Sequence, residues 1–248
     1  MKKLEKLFWL TPILILLAIW EVVARSGIMP QYLFPSFSQV VVRTYLLIIR
    51  GTLTTHFFSS LIRVLVGFLL GSLAGLGVGI LMGCSDVLNR TLQPVLSLLM
   101  PIPALGWLPL LILWIGIGEA LPITVIFLCS FFPVTYNTAT GIRGVPREYV
   151  RVARTLGASR IEVLKTILIP LALPSIFTGL RLEAGMAWRV IIAAEMIAIP
   201  SGIGALMIAS ENLLMVDVIM VCLMVLAIMC LLFERIFLFL EQRFTKWR

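Results

Sequence analysis

The sequence contains no glycine-rich phosphate loop of the GxxxxGKS or GxxxxGKT kind, no HExxH pair, and a single histidine, His56. The first absence excludes a P-loop nucleotide site on this chain, and the others exclude zinc hydrolase chemistry of the HExxH type. The four cysteines, Cys84, Cys129, Cys222 and Cys230, stand apart from one another in or beside apolar runs, with no CxxC spacing for a metal or a redox pair. They read as small core residues. Charge is scarce too: Asp, Glu, Lys and Arg make up 13% of the 248 residues, against about 25% in soluble domains. No acidic or histidine cluster supplies the convergent titratable groups that a membrane enzyme needs. No catalytic residue, metal ligand or cofactor is therefore assigned to the chain itself.

What remains is overwhelmingly apolar. With 60% hydrophobic residues and a mean hydropathy of +1.09, the chain is an integral membrane protein rather than a soluble domain. A net charge of +8 raises the question of nucleic acid, and the distribution of the charge answers it with the lipid bilayer instead. Six apolar spans are expected, at about residues 7–23, 58–83, 92–115, 121–140, 175–199 and 215–240. The first is long for a signal peptide and no A-x-A-like cleavage site follows, so it reads as a retained span. Six spans put both termini on one side. That side collects Lys2, Lys3 and Lys6, Arg90, the basic residues from Arg143 to Lys165, and Arg235, Arg243, Lys246 and Arg248, leaving only Arg25, Arg43 and Arg50 opposite. The positive-inside rule makes it the cytoplasm, in a cell inner membrane.

Three spans carry unusual residues. In the second, Gly67, Gly71, Gly75, Gly79 and Gly83 recur every four residues and form one small face for close helix packing, a reading preferred over a direct substrate role. In the third, Pro101, Pro103 and Pro109 force a bend or break. Broken helices at membrane depth occur where protein or a water-filled cavity satisfies the freed carbonyls. Pro101, Pro103 and Trp107 are thus candidates for a translocation path, with a kink that serves packing alone as the alternative. The fifth span carries Arg181, Glu183, Arg189 and Glu195, which must face protein or water and pair. At a rise of about 1.5 Å per residue, Glu195 lies about 6 Å and Arg63 about 8 Å below the outer boundary, so these two are expected to pair. Glu183 is a further candidate for the path, and so is Arg189, which falls near mid-depth. It suits an anionic solute in the path, unless Glu183 of a second copy or a rearrangement neutralises it.

The one polar segment long enough to fold alone is residues 146–174, PREYVRVARTLGASRIEVLKTILIPLALP. Pro146 opens a helix whose Tyr149, Val152, Ala153 and Leu156 share one face, with Arg147, Glu148, Arg151 and Arg154 on the other. Gly157 stops it. Ser159 and Glu162 form a capping-box signature for a second helix, with Ile161, Leu164 and Leu168 on its apolar side and Pro170 and Pro174 as its close. This spacing resembles the E-A-A-x3-G-x9-I-x-L-P motif of ABC importer permeases, with Ala153, Gly157, Ile167 and Pro170 on matching positions. Arg151 and Val152 stand where the motif has Glu and its first Ala, and Ile169 replaces its Leu. Glu148, one turn earlier on the same face, is the candidate substitute for the acidic residue.

Other stretches resemble the sulfonate, nitrate and taurine branch of that family: LFPSFSQV (Leu33 to Val40), SSLIRVLVGF (Ser59 to Phe68), PIPALGWLPL with its P-x-P-x5-P pattern, and the SGIG turn at 201–204. The resemblance implies an all-α membrane protein with a cytoplasmic coupling hairpin between its fourth and fifth spans, divided as residues 1–57, an amino-terminal span and external segment, and 58–248, the permease core. It implies ATPase docking through Arg147, Glu148, Arg151, Ala153, Arg154, Gly157, Ala158, Ser159, Arg160 and Glu162. It also implies a homodimer, two cytoplasmic ATPase subunits that bind ATP and Mg, and an extracytoplasmic solute-binding protein. The solutes of the branch are small anions such as sulfonates, taurine, nitrate or bicarbonate, and also ring compounds such as riboflavin or thiamine precursors. An ion channel or a polytopic membrane enzyme is the reading from another class, and neither needs an arginine-rich docking hairpin.

Overall fold

The computed structural model describes residues 2–245, with side chains described from residue 11 onward except that of Ala198. The charge expectations placed on Lys2, Lys3, Lys6, Lys246 and Arg248 lie outside these described side chains. Among the described residues the fold is all-helical. Helix α1 (Lys2–Arg25) leads to α2 (Phe37–Ile49), α3 (Thr52–Cys84), α4 (Asp86–Leu99), α5 (Leu108–Ile115), α6 (Ala120–Arg143), α7 (Arg147–Thr155), α8 (Arg160–Val163), α9 (Ile169–Ala198), α10 (Ile203–Asn212) and α11 (Val216–Phe244). Helices α3, α6 and α11 and the continuous α8–α9 rod are each long and apolar enough to cross a membrane, and α4 with α5 makes a fifth span if its two bent halves count as one. The expected first span falls in α1, whose Ile13, Leu14, Ile15, Leu16, Ile19 and Val22 are all more than half exposed.

The glycine repeat sets the central packing. A Cβ placed on Gly67, Gly71, Gly75 or Gly79 would lie 2.5–2.9 Å from the carbonyl oxygens of Ile123, Phe127, Phe131 and Thr135 in turn. Both helices step by four residues, so the contact of α3 with α6 is backbone against backbone along its length. Gly83 continues it against Ile142, where an added Cβ would come within 2.7 Å of the side chain. The opposite edge of α6 packs on α9 with glycine against side chain, Gly141 on Ser175 and Gly179 on Asn137, and Ser175 Oγ donates to the Asn137 carbonyl at 2.9 Å. Beside this plate α2, α10 and α11 bury a second core around Trp188, which is 1% exposed.

The segment before the second span carries a helix: Ser36 and Gln39 form a reciprocal capping box that starts α2. Two local outcomes differ from the sequence expectation. The coupling segment does not close at Pro170 and Pro174. Instead α8 runs through a π turn, Leu164–Leu168, where the Ile169 N–H bonds the Leu164 carbonyl five residues back. Widening this turn just before Pro170 lets the helix absorb the proline and continue as α9, with Pro174 inside it. Of the cysteines, Cys84 is exposed at the end of α3 rather than in a core.

The glycine face yields a paired test. Gly71→Leu places a side chain where the Phe127 carbonyl sits, whereas Gly77, on the same helix, has nothing within 4 Å. Overpacking a filled core costs about 1–3 kcal/mol or more, so Gly71→Leu is expected to lose most folded protein from membranes. Gly77→Leu should keep wild-type yield and melting temperature in detergent.

Candidate functional site

Three places bring functional side chains together. At one end of the plate, Arg63 is buried, its side chain 3% exposed, between two carboxylates. Its Nη1 donates to Glu195 Oε1 at 2.7 Å and to the Ser201 carbonyl at 2.8 Å. Its Nε and Nη2 fork onto both oxygens of Glu119, each at 2.6 Å. Glu195 also accepts from Ser60 Oγ at 2.8 Å and from the Gly204 N–H at 3.0 Å, and Ser60 Oγ accepts the Ile203 N–H at 2.8 Å. Gly202 has φ +110° and packs against the Glu195 carboxylate, where any Cβ would collide; its N–H donates to His56 Nδ1 at 3.1 Å. The node therefore ties α3, the outer turn before α6, α9 and the SGIG turn. Depth counting brought Arg63 and Glu195 together; Glu119, Ser60, Ser201 and His56 were missed, although Glu119 is the only acid in the outer turn at that depth.

The second place is the break of the third span. Helices α4 and α5 meet at 86°, separated by Met100 to Pro103 and a 3-10 turn over Ala104–Trp107. The break opens a cavity of about 260 Å³, whose wall includes Pro101, Pro103 and Trp107, with Phe132 and Cys129 from α6 and Glu183 from α9. Glu183 is buried, and its carboxylate accepts a hydrogen bond from Cys129 Sγ at 3.3 Å. Arg189 does not line this cavity. It is exposed, and its Nη1 rests 3.6 Å from Sδ of Met186, which does. Arg181 is held elsewhere, 3.4 Å from Glu241 of α11.

The third place is the polar segment. The Gly157 N–H bonds the Arg154 carbonyl and the Ala158 N–H bonds the Ala153 carbonyl, each at 3.0 Å, with Gly157 at φ +87°: a Schellman closure of α7. The Ser159 N–H donates to Glu162 Oε2 at 2.7 Å and the Glu162 N–H to Ser159 Oγ at 3.3 Å, the reciprocal cap of α8. This rigid corner presents the apolar stripe outward: Tyr149, Val152 and Leu156 are 56%, 59% and 83% exposed. Arg147, Glu148, Arg151, Arg154 and Arg160 are exposed as well, with Ala153 and Ala158 partly covered. Behind it Arg143 pairs with Asp86 at 2.7 Å, fixing the inner end of α6 to the start of α4.

Removing one partner of a buried ion pair costs about 3–5 kcal/mol, so Glu195→Ala should lower the melting temperature far more than Glu119→Ala, whose side chain is 66% exposed. The pH dependence has a definite sign. Hydrogen bonding to Arg63 holds Glu119 below its ordinary value of 4.5. Its stabilisation is therefore complete above that pH and is lost as pH falls through the lower folded value. The difference in thermal stability between wild type and Glu119→Gln should shrink correspondingly in acid.

Comparison with known proteins accounts for this arrangement. Residues 67–246 match the family described as binding-protein-dependent transport system inner membrane component. The chain is 36% identical over 240 residues to the taurine transport system permease protein TauC of Escherichia coli, covering 94% of this chain and 86% of that protein. It is 34% identical to the putative aliphatic sulfonates transport permease protein SsuC of Bacillus subtilis, covering 94% and 85% of the two chains. It is 37% identical to the nitrate import permease protein NrtB of a Synechocystis species, covering 93% and 86%. The fold is similar to a chain of the inward-facing MetNI methionine ABC transporter, with a TM-score of 0.59 at 17% identity, covering 77% of this chain and 94% of that one. The chain thus belongs to the binding-protein-dependent transport system inner membrane components, and it is a multi-pass membrane permease subunit of an ABC importer.

Proposed function

We propose that two copies of this chain form the pore of an importer that passes a small anion of the sulfonate, taurine, nitrate or bicarbonate kind from a solute-binding protein to the cytoplasm. Two ATPase subunits dock on the polar segments, and ATP with Mg is bound by them alone. Both termini lie in the cytoplasm, with α1 as a sixth span. The observation that carries this reading is the exposed stripe of Tyr149, Val152 and Leu156 on a corner locked by the Gly157 closure and the Ser159 cap. An apolar face held rigidly in water is a surface awaiting a partner. The arginines around it suit a complementary acidic rim. The corner continues without interruption into α9, so movement of the docked ATPases reaches the cavity and the outer node as a rigid displacement of one helix.

Reconstitution in nanodiscs with the ATPase subunit tests the reading. ATPase turnover should rise when one solute-loaded binding protein is added from a panel of taurine, alkanesulfonates, nitrate and bicarbonate. An assembled complex that no loaded binding protein stimulates would refute it. Leu156→Asp leaves the fold intact because its side chain is exposed, yet it should weaken ATPase-subunit binding about tenfold or more, the loss expected when a buried apolar anchor of an interface is replaced by a charge.

A further inference from the structure

Glu183 belongs neither to the docking corner nor to the Arg63 node. It is 8% exposed, lines the cavity at the broken span, and has the Cys129 thiol at 3.3 Å as its hydrogen-bond partner. None of the ion pairs among the described residues includes it. The wall around it brings the rings of Trp107 and Phe132 and no Lys or Arg. A buried carboxylate is costly until a counter-charge reaches it, and aromatic faces attract charge of the same sign that the carboxylate attracts. A simple inorganic anion entering here meets repulsion from the carboxylate. A solute with an ammonium group at one end meets its complement.

We propose that Glu183 recognises a cationic nitrogen of the solute in transit, so that the cavity takes a zwitterionic aminoalkyl sulfonate in preference to nitrate or an alkanesulfonate without the amine. Its transport consequence rests on the importer reading above; the charge preference of the cavity does not. Arg189, exposed beside Met186 at the rim, is the group whose approach would cancel that preference.

Cys129 makes the preference measurable in the assembled complex. Its thiolate attacks the sulfenyl sulfur of a methanethiosulfonate and methanesulfinate leaves, so a trimethylammonium-ethyl reagent and a sulfonatoethyl reagent of the same reactive group report the local field. Peptide mass mapping reads modification at Cys129 without substitution of the other thiols. The cationic reagent should react about tenfold or more faster than the anionic one, relative to a free thiol standard, the range expected of a cleft lined by one sign of charge. Glu183→Gln should abolish that ratio, and Glu183→Asp should keep it. Taurine uptake into proteoliposomes should fall about tenfold in Glu183→Gln, while ethanesulfonate uptake should hold or rise. Equal rates for the two reagents, an unchanged ratio in Glu183→Gln, or no reaction at Cys129 with either reagent would overturn the proposal. Failure of the importer reading is a separate result: no loaded binding protein stimulates the ATPase, whatever the reagent ratio.

Discussion

Everything in this fold depends on two helix backbones touching. Because Gly67, Gly71, Gly75 and Gly79 each lie against a carbonyl of α6, no side chain separates α3 from α6 and neither helix can slide without a clash. In lipid, where apolar side chains gain nothing by leaving the solvent, such close approach is the main source of attraction between helices. Gly141 and Gly179 extend the contact to α9, so three helices form one plate. At one end lies the Arg63 node, at the other the pair of Asp86 and Arg143. The first brings the turn before α6 and the SGIG turn onto the plate, and the second brings in α4.

The plate gives α9 its role. One continuous rod carries the polar corner at one end, Glu183 facing the cavity and Glu195 at the Arg63 node. Glu183 and Glu195 are twelve residues apart, about 18 Å along the axis. The π turn at Leu164–Leu168 keeps the rod continuous past Pro170. A single element thus links the corner to the broken span and to the SGIG turn.

How much of this was legible follows from the range of each signal. The five-residue glycine face, the Gly157 stop and the Ser159–Glu162 cap are local spacings, and each reads directly from neighbouring residues. The contact of Arg63 with Glu195 needed only depth counted along two helices. Glu119 was missed because its pairing with Arg63 depends on how an outer turn folds back, which no periodicity encodes. The continuation through Pro170 was missed because proline is a stop by local sterics, and a π turn that relieves those sterics leaves no residue signature. The five candidates for a path do not all meet: Pro101, Pro103, Trp107 and Glu183 line one cavity, whereas Arg189, six residues on from Glu183, is absent from its wall and rests against Met186.

The proposed docking places an ATPase subunit on the corner of α7 and α8. A photo-crosslinking residue at position 156, with an equivalent probe at the exposed position 73 as a control, tests it in native membranes. A nucleotide-sensitive crosslink to the ATPase subunit is expected from position 156 and none from position 73. Crosslinking of position 156 to lipid alone, in membranes where the ATPase subunit co-purifies with the permease, would contradict it.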